Sequence, residues 1–295
     1  MNSLKMPRAI AAPNKETFTI PPIAVNHHII QGDVMKGLAS LPDESVHCVV
    51  TSPPYDKLRT YGGGLQWDFA GTAWELSRVL CNGGVICWVI GDQTVNGSET
   101  LTGARQAIYF VDQVHLNLHD TMIYKKLNFS HPEKVRYHQV FEFMYIFSKG
   151  SPRTFHPIKD KRNATAGCVG NLGVNTFTEQ DGSKSIRPKK VTTEWGMRGN
   201  VWVGPTRGQE EMCVPLEHPA MMPKWLARDL IRSWSGEGDT ILDPFAGSGT
   251  TAFQARDLGR SSVSIELNPA YVKMIKERLR ASEQLFPNQV TVEVA

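Results

Sequence analysis

Cysteine is scarce in this chain, and the five present (Cys48, Cys81, Cys87, Cys168 and Cys213) form an odd set with no C-x-x-C pair. That pattern argues against a disulfide framework and a structural zinc site, and it suits a reducing cytoplasm. His115 and His119 could share a helix face, but no third ligand stands near them, so no metal is expected. No apolar run approaches the roughly 18 residues that a membrane-spanning helix needs, which predicts no membrane partner. Residues 1–25 carry Pro7, Pro13, Pro21 and Pro22 without a long apolar segment, so a loosely ordered arm is expected rather than a secretory signal. Internal repeats are absent. Net charge is only +3, which alone points to no partner.

What the chain does have is an alternation of strand-like and helix-like runs. His28–Gln31 leads into Gly32-Asp33, Val46–Val50 into Thr51-Ser52, and Val85–Ile90 into Gly91-Asp92. Leu76, Val79 and Leu80 have helical spacing, stopped by Gly83-Gly84. A helix is expected over 99–114, and strands over Thr121–Lys125 and Val140–Phe147, the second interior. After Pro223, Leu226, Leu230, Ile231 and Trp234 share one helical face. Thr240–Leu242 then ends at Asp243, a helix runs to about Leu258, and Ser262–Ile265 ends at Glu266. Asn268 and Pro269 open a last helix that buries Val272, Ile275 and Leu279.

This order predicts an α/β fold, a Rossmann-like parallel sheet with helices on both faces. Its catalytic part is split into residues 26–148 and 215–295. Between them, 149–214 loses periodicity and reads as a loop-rich insertion, with a short strand near Gly199–Val203. Eleven bases stand against four acids from Lys149 to Arg207, so this stretch is +7 and the remainder −4. A local positive field of that kind is the footprint of a polyanion, or else a solvated face. Asp33, Ser52, Asp92, Asp243 and Glu266 each fall at the carboxyl end of a predicted strand, the edge where open α/β sheets bind ligands.

Two motifs on that edge carry chemistry. In Asp243-Pro244-Phe245-Ala246-Gly247-Ser248-Gly249-Thr250, the glycines allow a tight turn and close approach of a ligand. The Lys of a Walker loop is absent, and an acid opening the turn would repel pyrophosphate but suit an ammonium group, as on S-adenosyl-L-methionine. Glu266, 23 residues after Asp243, is placed to bind ribose hydroxyls. The plainer reading is a glycine-rich turn with Asp243 as a helix cap. In Ser52-Pro53-Pro54-Tyr55, two prolines fix φ and remove two donors, leaving the Ser52 hydroxyl and Pro53 carbonyl as acceptors for an exocyclic amine. Tyr55 offers a stacking face. Here the plainer reading is a proline turn at a strand end.

With these motifs the chain resembles the amino-methylating DNA methyltransferases, which act on cytosine N4 or adenine N6. The resemblance covers most of 26–150 and 213–282, in the permuted order of the beta group, with the pocket motif before the cofactor motif. It implies S-adenosyl-L-methionine as cofactor and double-stranded DNA as substrate. Asp33 would then lie near the cofactor adenine, and Arg78–Gly84 matches the family's helix-to-strand step. His218-Pro219-Ala220 and Pro223 match the motif upstream of the cofactor strand. The insertion falls where the family keeps its target-recognition region, which makes Lys161, Arg162, Lys184, Arg187, Lys189, Lys190 and Arg198 candidate DNA contacts. Within the family S-P-P-Y is typical of cytosine-N4 enzymes and D-P-P-Y or N-P-P-Y of adenine-N6 enzymes, so Ser52 favours cytosine. No cysteine follows a proline, which argues against carbon-5 methylation. An adenine-N6 enzyme, a non-catalytic DNA-binding module, and methylation of RNA or a protein amide stay open. So do a homodimer, a cognate restriction enzyme, and a bacterial or phage source.

Overall fold

The computed structural model describes residues 24–54, 67–127, 134–168, 175–187, 191–206, 221–285 and 290–295. Its strands and helices run β1 (Val25–Gln31), α1 (Val34–Ala39), β2 (Val46–Thr51), α2 (Phe69–Val79), β3 (Leu80–Ile90), α3 (Thr102–Asp112), β4 (Asn117–Lys126) and β5 (Phe141–Ser148). Within the 149–214 segment β6 (Val201–Gly204) follows, and after it come α4 (Lys224–Trp234), β7 (Thr240–Asp243), α5 (Thr250–Asp257), β8 (Ser261–Glu266), α6 (Pro269–Leu285) and β9 (Val290–Val294). These nine strands form one sheet in the order β6-β4-β5-β3-β2-β7-β8-β1-β9. Every neighbouring pair is parallel except those of β5, which runs antiparallel to β3 and β4. The sheet is therefore mixed rather than wholly parallel.

The all-apolar run Val85–Ile90 has helices to bury against on both sides. Ile86, Trp88 and Ile90 pack with Leu38, Leu76 and Phe110 of α1, α2 and α3. Val85, Cys87 and Val89 pack on the opposite face with Leu226, Leu230, Ile231 and Trp234 of α4. A smaller cluster joins Ile29 of β1 to Ala252 of α5 and to Val272, Ile275 and Leu279 of α6. Each large apolar side chain buried this way contributes roughly 1.5–3 kcal/mol of transfer free energy.

Several expectations are corrected. Leu80 opens β3 instead of continuing α2, and Gly83-Gly84 lie inside that strand. The reason is a close backbone approach: the Gly83 amide donates to the Lys149 carbonyl at 2.7 Å, and its carbonyl accepts from the Arg153 amide at 2.9 Å. Gly83 has φ +76°, and a Cβ there would stand 2.9 Å from the Arg153 Cβ. The helix expected from Glu99 begins at Thr102, because Ser98-Glu99 pairs with Thr94-Val95 in a short hairpin. His115, at φ +60°, lies beyond that helix, and His119 sits on β4 with its ring against Trp234, so the two share no helix face. The short strand expected near 199–203 is β6, which joins the main sheet beside β4. Its Trp202 is 5% exposed and belongs to the core. Strand β9, beside β1, was not foreseen.

Candidate active site

Strands β2 and β7 are neighbours, and the helices that follow them pack on opposite faces of the sheet, α2 with α1 and α3, α5 with α4. That is a topological switch point, where the two adjoining connections diverge and leave a crevice at the carboxyl edge. Asp33, Ser52, Asp92, Asp243 and Glu266 all end or follow strands that are mutually parallel, so they share this edge. The sequence-based placement of these five holds.

The turn after β7 takes its shape from two glycines, Gly247 at φ +51° and Gly249 at φ +79°. A Cβ on Gly249 would come 2.8 Å from the Ile275 side chain, so α6 packs directly on the turn. Glu266 holds the turn from the neighbouring strand: its carboxylate accepts from the Gly247 amide at 2.7 Å and from the Asn268 amide at 2.8 Å. Burial raises the Glu266 pKa, and the charge of Asp243 adds to this, against the lowering effect of those amides. Asp33 caps α1, and the Gly32 amide donates to the Glu266 carbonyl at 3.0 Å, which brings the two acids to adjacent strand ends. Pro244, Ser248 and Thr250 are buried; the hydroxyls of the last two lie 3.4 Å apart.

Asp243 points inward. Its Oδ1 accepts from the Thr51 hydroxyl at 2.7 Å and the Phe245 amide at 3.1 Å, and its Oδ2 accepts from the Thr251 hydroxyl at 2.7 Å. Desolvation raises its pKa, and the three donors oppose that. A carboxylate so engaged organises the turn, which is the capping reading as much as the ammonium-binding one.

Ser52 is half-buried at the end of β2, Pro53 is buried and Pro54 half-buried. Trp67 packs edge-on against Phe245, with ring centroids 4.9 Å apart, and also meets Phe69 and Trp88. Phe245 of the glycine turn is therefore part of an aromatic wall that reaches β3. Asp92 accepts from the Gly103 amide at 2.9 Å and steadies the start of α3. Tyr55 and His218 lie outside the described residues.

The insertion is anchored along α4: the His156 amide donates to the Ser233 carbonyl at 2.9 Å, and the Phe155 ring packs on Trp234. The segment also forms two short antiparallel pairs, Lys161-Arg162 with Trp195-Gly196 and Asn175–Thr178 with Lys184–Arg187. Lys161, Arg162 and Lys184 are exposed, with Arg162 3.9 Å from Glu194. Arg198 is different. It bridges Asp160 and Asp229, the latter at 2.8 Å, and lies over the Trp202 ring. Lys149 and Arg153 are likewise bound to Glu44 and Asp239. Part of the +7 is thus neutralised by acids outside the segment. Lys189 and Lys190 lie outside the described residues, and Arg187 is placed by its strand alone.

Sequence reasoning passed over Thr51, Thr251 and Trp67. The two threonines flank motifs already singled out, and their only signal is a hydroxyl at a buried strand end and in a first helical turn. Trp67 gave none. Among the described residues no group of three or more His, Cys, Asp or Glu side chains could hold a metal, and no helix is long and apolar enough to cross a membrane.

Fold and strand-end residues together define a Rossmann-like methyltransferase architecture, with the glycine turn after β7 and the Pro53-Pro54 segment after β2 on the two sides of the switch point. The chain belongs to the N6/N4 DNA methylase family, whose pattern it matches over residues 46–277. The orphan methyltransferase M.BamHII of Bacillus amyloliquefaciens is 43% identical over 244 residues, covering 82% of this chain and 91% of that protein. The DNA adenine methyltransferase YhdJ of Escherichia coli is 26% identical, covering 85% of this chain and 82% of its own. Among solved structures, the cytosine-N4-specific PvuII DNA methyltransferase superposes with a TM-score of 0.60 at 18% identity, over 92% of this chain and 96% of that one. TTHA0409 of Thermus thermophilus, complexed with S-adenosyl-L-methionine, gives 0.57 at 23% identity, over 90% and 99%.

Proposed function

We propose that this DNA methylase transfers a methyl group from S-adenosyl-L-methionine to the exocyclic N4 amine of a cytosine flipped out of duplex DNA. The observation that carries the reading is the meeting of the two motifs: Thr51, the residue before Ser52, is hydrogen-bonded to the aspartate that opens the glycine turn. Pocket and cofactor turn are therefore adjacent.

The residues of the edge fit the cofactor. Glu266 and Asp33 end neighbouring strands and suit hydroxyl and amine donors of a nucleoside, while the acids at this edge disfavour a pyrophosphate. Bound there, the cofactor supplies an activated methyl group on a sulfonium centre. The protein's part is geometric. Ser52 Oγ and the Pro53 carbonyl accept the two amine hydrogens and draw the nitrogen toward tetrahedral geometry, exposing its lone pair for in-line attack. Tyr55 stacks on the extruded base and offsets part of the few kcal/mol that extrusion costs. Holding both reactants in register is the main source of acceleration. No covalent enzyme intermediate forms, and the proton leaves to water after methylation, because a neutral aryl amine is too weak an acid to ionise first.

The exposed bases Lys161, Arg162 and Lys184, with Arg187, Lys189 and Lys190, form the DNA-facing set in this reading; Arg198 serves the framework. Ser52 favours cytosine over adenine. Adenine N6 is the second reading, favoured by the resemblance to the adenine methyltransferase YhdJ. Incubating the purified protein with methyl-labelled cofactor and duplex DNA, RNA or protein separates the substrate classes. Label in DNA alone supports the proposal; label in RNA or protein alone overturns it.

A further inference from the structure

One buried carboxylate ties the two motifs together. The backbone ladder between β2 and β7 pairs Cys48 with Ile241 and Val49 with Leu242. Beyond those pairs the two strand ends are linked by side chains. Thr51, the last residue of β2, donates to Asp243 Oδ1, and Thr251, in the first turn of α5, donates to Oδ2, each at 2.7 Å. The Thr251 hydroxyl also lies 3.3 Å from the Val50 carbonyl, so α5, β7 and β2 converge on one carboxylate. Thr51 and Thr251 are both fully enclosed, and Asp243 is 6% exposed.

A charge in such a place is costly, and a well-packed apolar cluster would hold the same elements together more cheaply. What the carboxylate adds is direction. It accepts two hydroxyls at once on different oxygens, whereas an amide in its place has one acceptor atom. A hydroxyl bond of this length fixes both ends far more tightly than an apolar contact does. Ser52 follows Thr51 and the glycine turn follows Asp243, so the bracket sets the separation between the target amine and the transferable methyl.

We propose that Thr51 and Thr251 are positioning residues for methyl transfer, acting through Asp243 to hold the base pocket at a fixed distance from the cofactor turn. This rests on the methyltransferase reading above. It separates the task of aligning the reactants from that of binding the cofactor, and predicts that the two are lost separately.

The test replaces Thr51 with Val, which keeps the shape and removes the hydroxyl, and with Ser, which keeps the hydroxyl. Cofactor affinity is measured by calorimetry, and kcat by methyl transfer to duplex DNA. Misplacement of reacting atoms by a fraction of an ångström to an ångström costs about ten- to a hundredfold. Thr51→Val should lower kcat by that factor and leave the cofactor Kd within about threefold, and Thr51→Ser should recover most of the loss. Thr251→Val, acting on the other oxygen, should reproduce the split, and serves alone if Thr51→Val does not fold. An unchanged kcat overturns the bracket, as does an equal loss in the Val and Ser variants or a Kd that weakens in step with kcat. A wild-type protein that methylates no DNA overturns the functional reading and the bracket with it.

Discussion

Gly249→Ala tests whether the glycine turn after β7 is held by packing from α6. The alanine would occupy the left-handed region, at φ +79°, which costs about 1–2 kcal/mol for a residue with a Cβ. It would also place that Cβ 2.8 Å from Ile275 Cγ1 and 3.1 Å from Cγ2, against a branched side chain that is 1% exposed. Overpacking of this kind costs typically about 1–3 kcal/mol. The total is roughly 2–5 kcal/mol, read from urea denaturation. Gly97 supplies the control, because its φ is +82° and a Cβ there meets nothing within 4 Å, so Gly97→Ala should show the conformational cost alone. Combining Gly249→Ala with Ile275→Ala removes the colliding atoms and should bring the added cost down to the Gly97→Ala level. Because the turn can yield only by moving, cofactor affinity should fall in Gly249→Ala and partly return in the double variant. Equal costs for the two glycine variants, or no coupling to Ile275, would refute the packing argument.

Three further outcomes are expected. Replacing Lys161 and Arg162 with Glu should weaken DNA binding and reduce the slope of log K against log salt by about 0.9 for each phosphate no longer neutralised; an unchanged slope would remove these residues from the DNA face. Tyr55→Ala should lower turnover and spare cofactor binding, and full activity would end the stacking role. The third concerns His27, which is buried against the Ser262 hydroxyl at 2.8 Å and has its pKa lowered to about 4, first by burial and then by the charge of Arg256. A lowered folded pKa means that its stabilising effect is present above pH 6.5 and lost as pH falls toward 4, in all about 3 kcal/mol. Asp243 and Glu266, whose pKa values are raised, work in the opposite sense as pH falls. Denaturation of wild type and His27→Gln at pH 7 and pH 5 isolates the histidine: the wild type should lose more stability than the variant, and equal losses would contradict its neutral burial.

Much of the sheet was legible because apolar runs ending in Asp, Ser or Glu mark strand ends, and five of them converge on one edge. The errors have local causes. Gly83-Gly84 resembles a helix stop, yet it answers to the close passage of Lys149–Arg153, a contact between segments distant in sequence. The charge count across 149–207 saw the bases but not Glu44, Asp229 and Asp239, which neutralise some of them from other elements. Thr51 and Thr251 were invisible for a related reason. A threonine gains its role from what lies opposite, and opposite Thr51 is Asp243, far along the chain. Arg198 reads as a candidate DNA contact because it falls in the stretch that resembles the family's target-recognition region; its ion pairs with Asp160 and with Asp229 of α4 have no signal in the sequence.

The most direct test of the account is mass spectrometry of nucleosides from DNA incubated with the purified protein and cofactor, beside an Asp243→Ala control. N4-methylcytosine formed only by the intact protein is the predicted result. N6-methyladenine in its place would contradict the assignment of Ser52 to cytosine, and neither methylated base would contradict methyl transfer to DNA at this site.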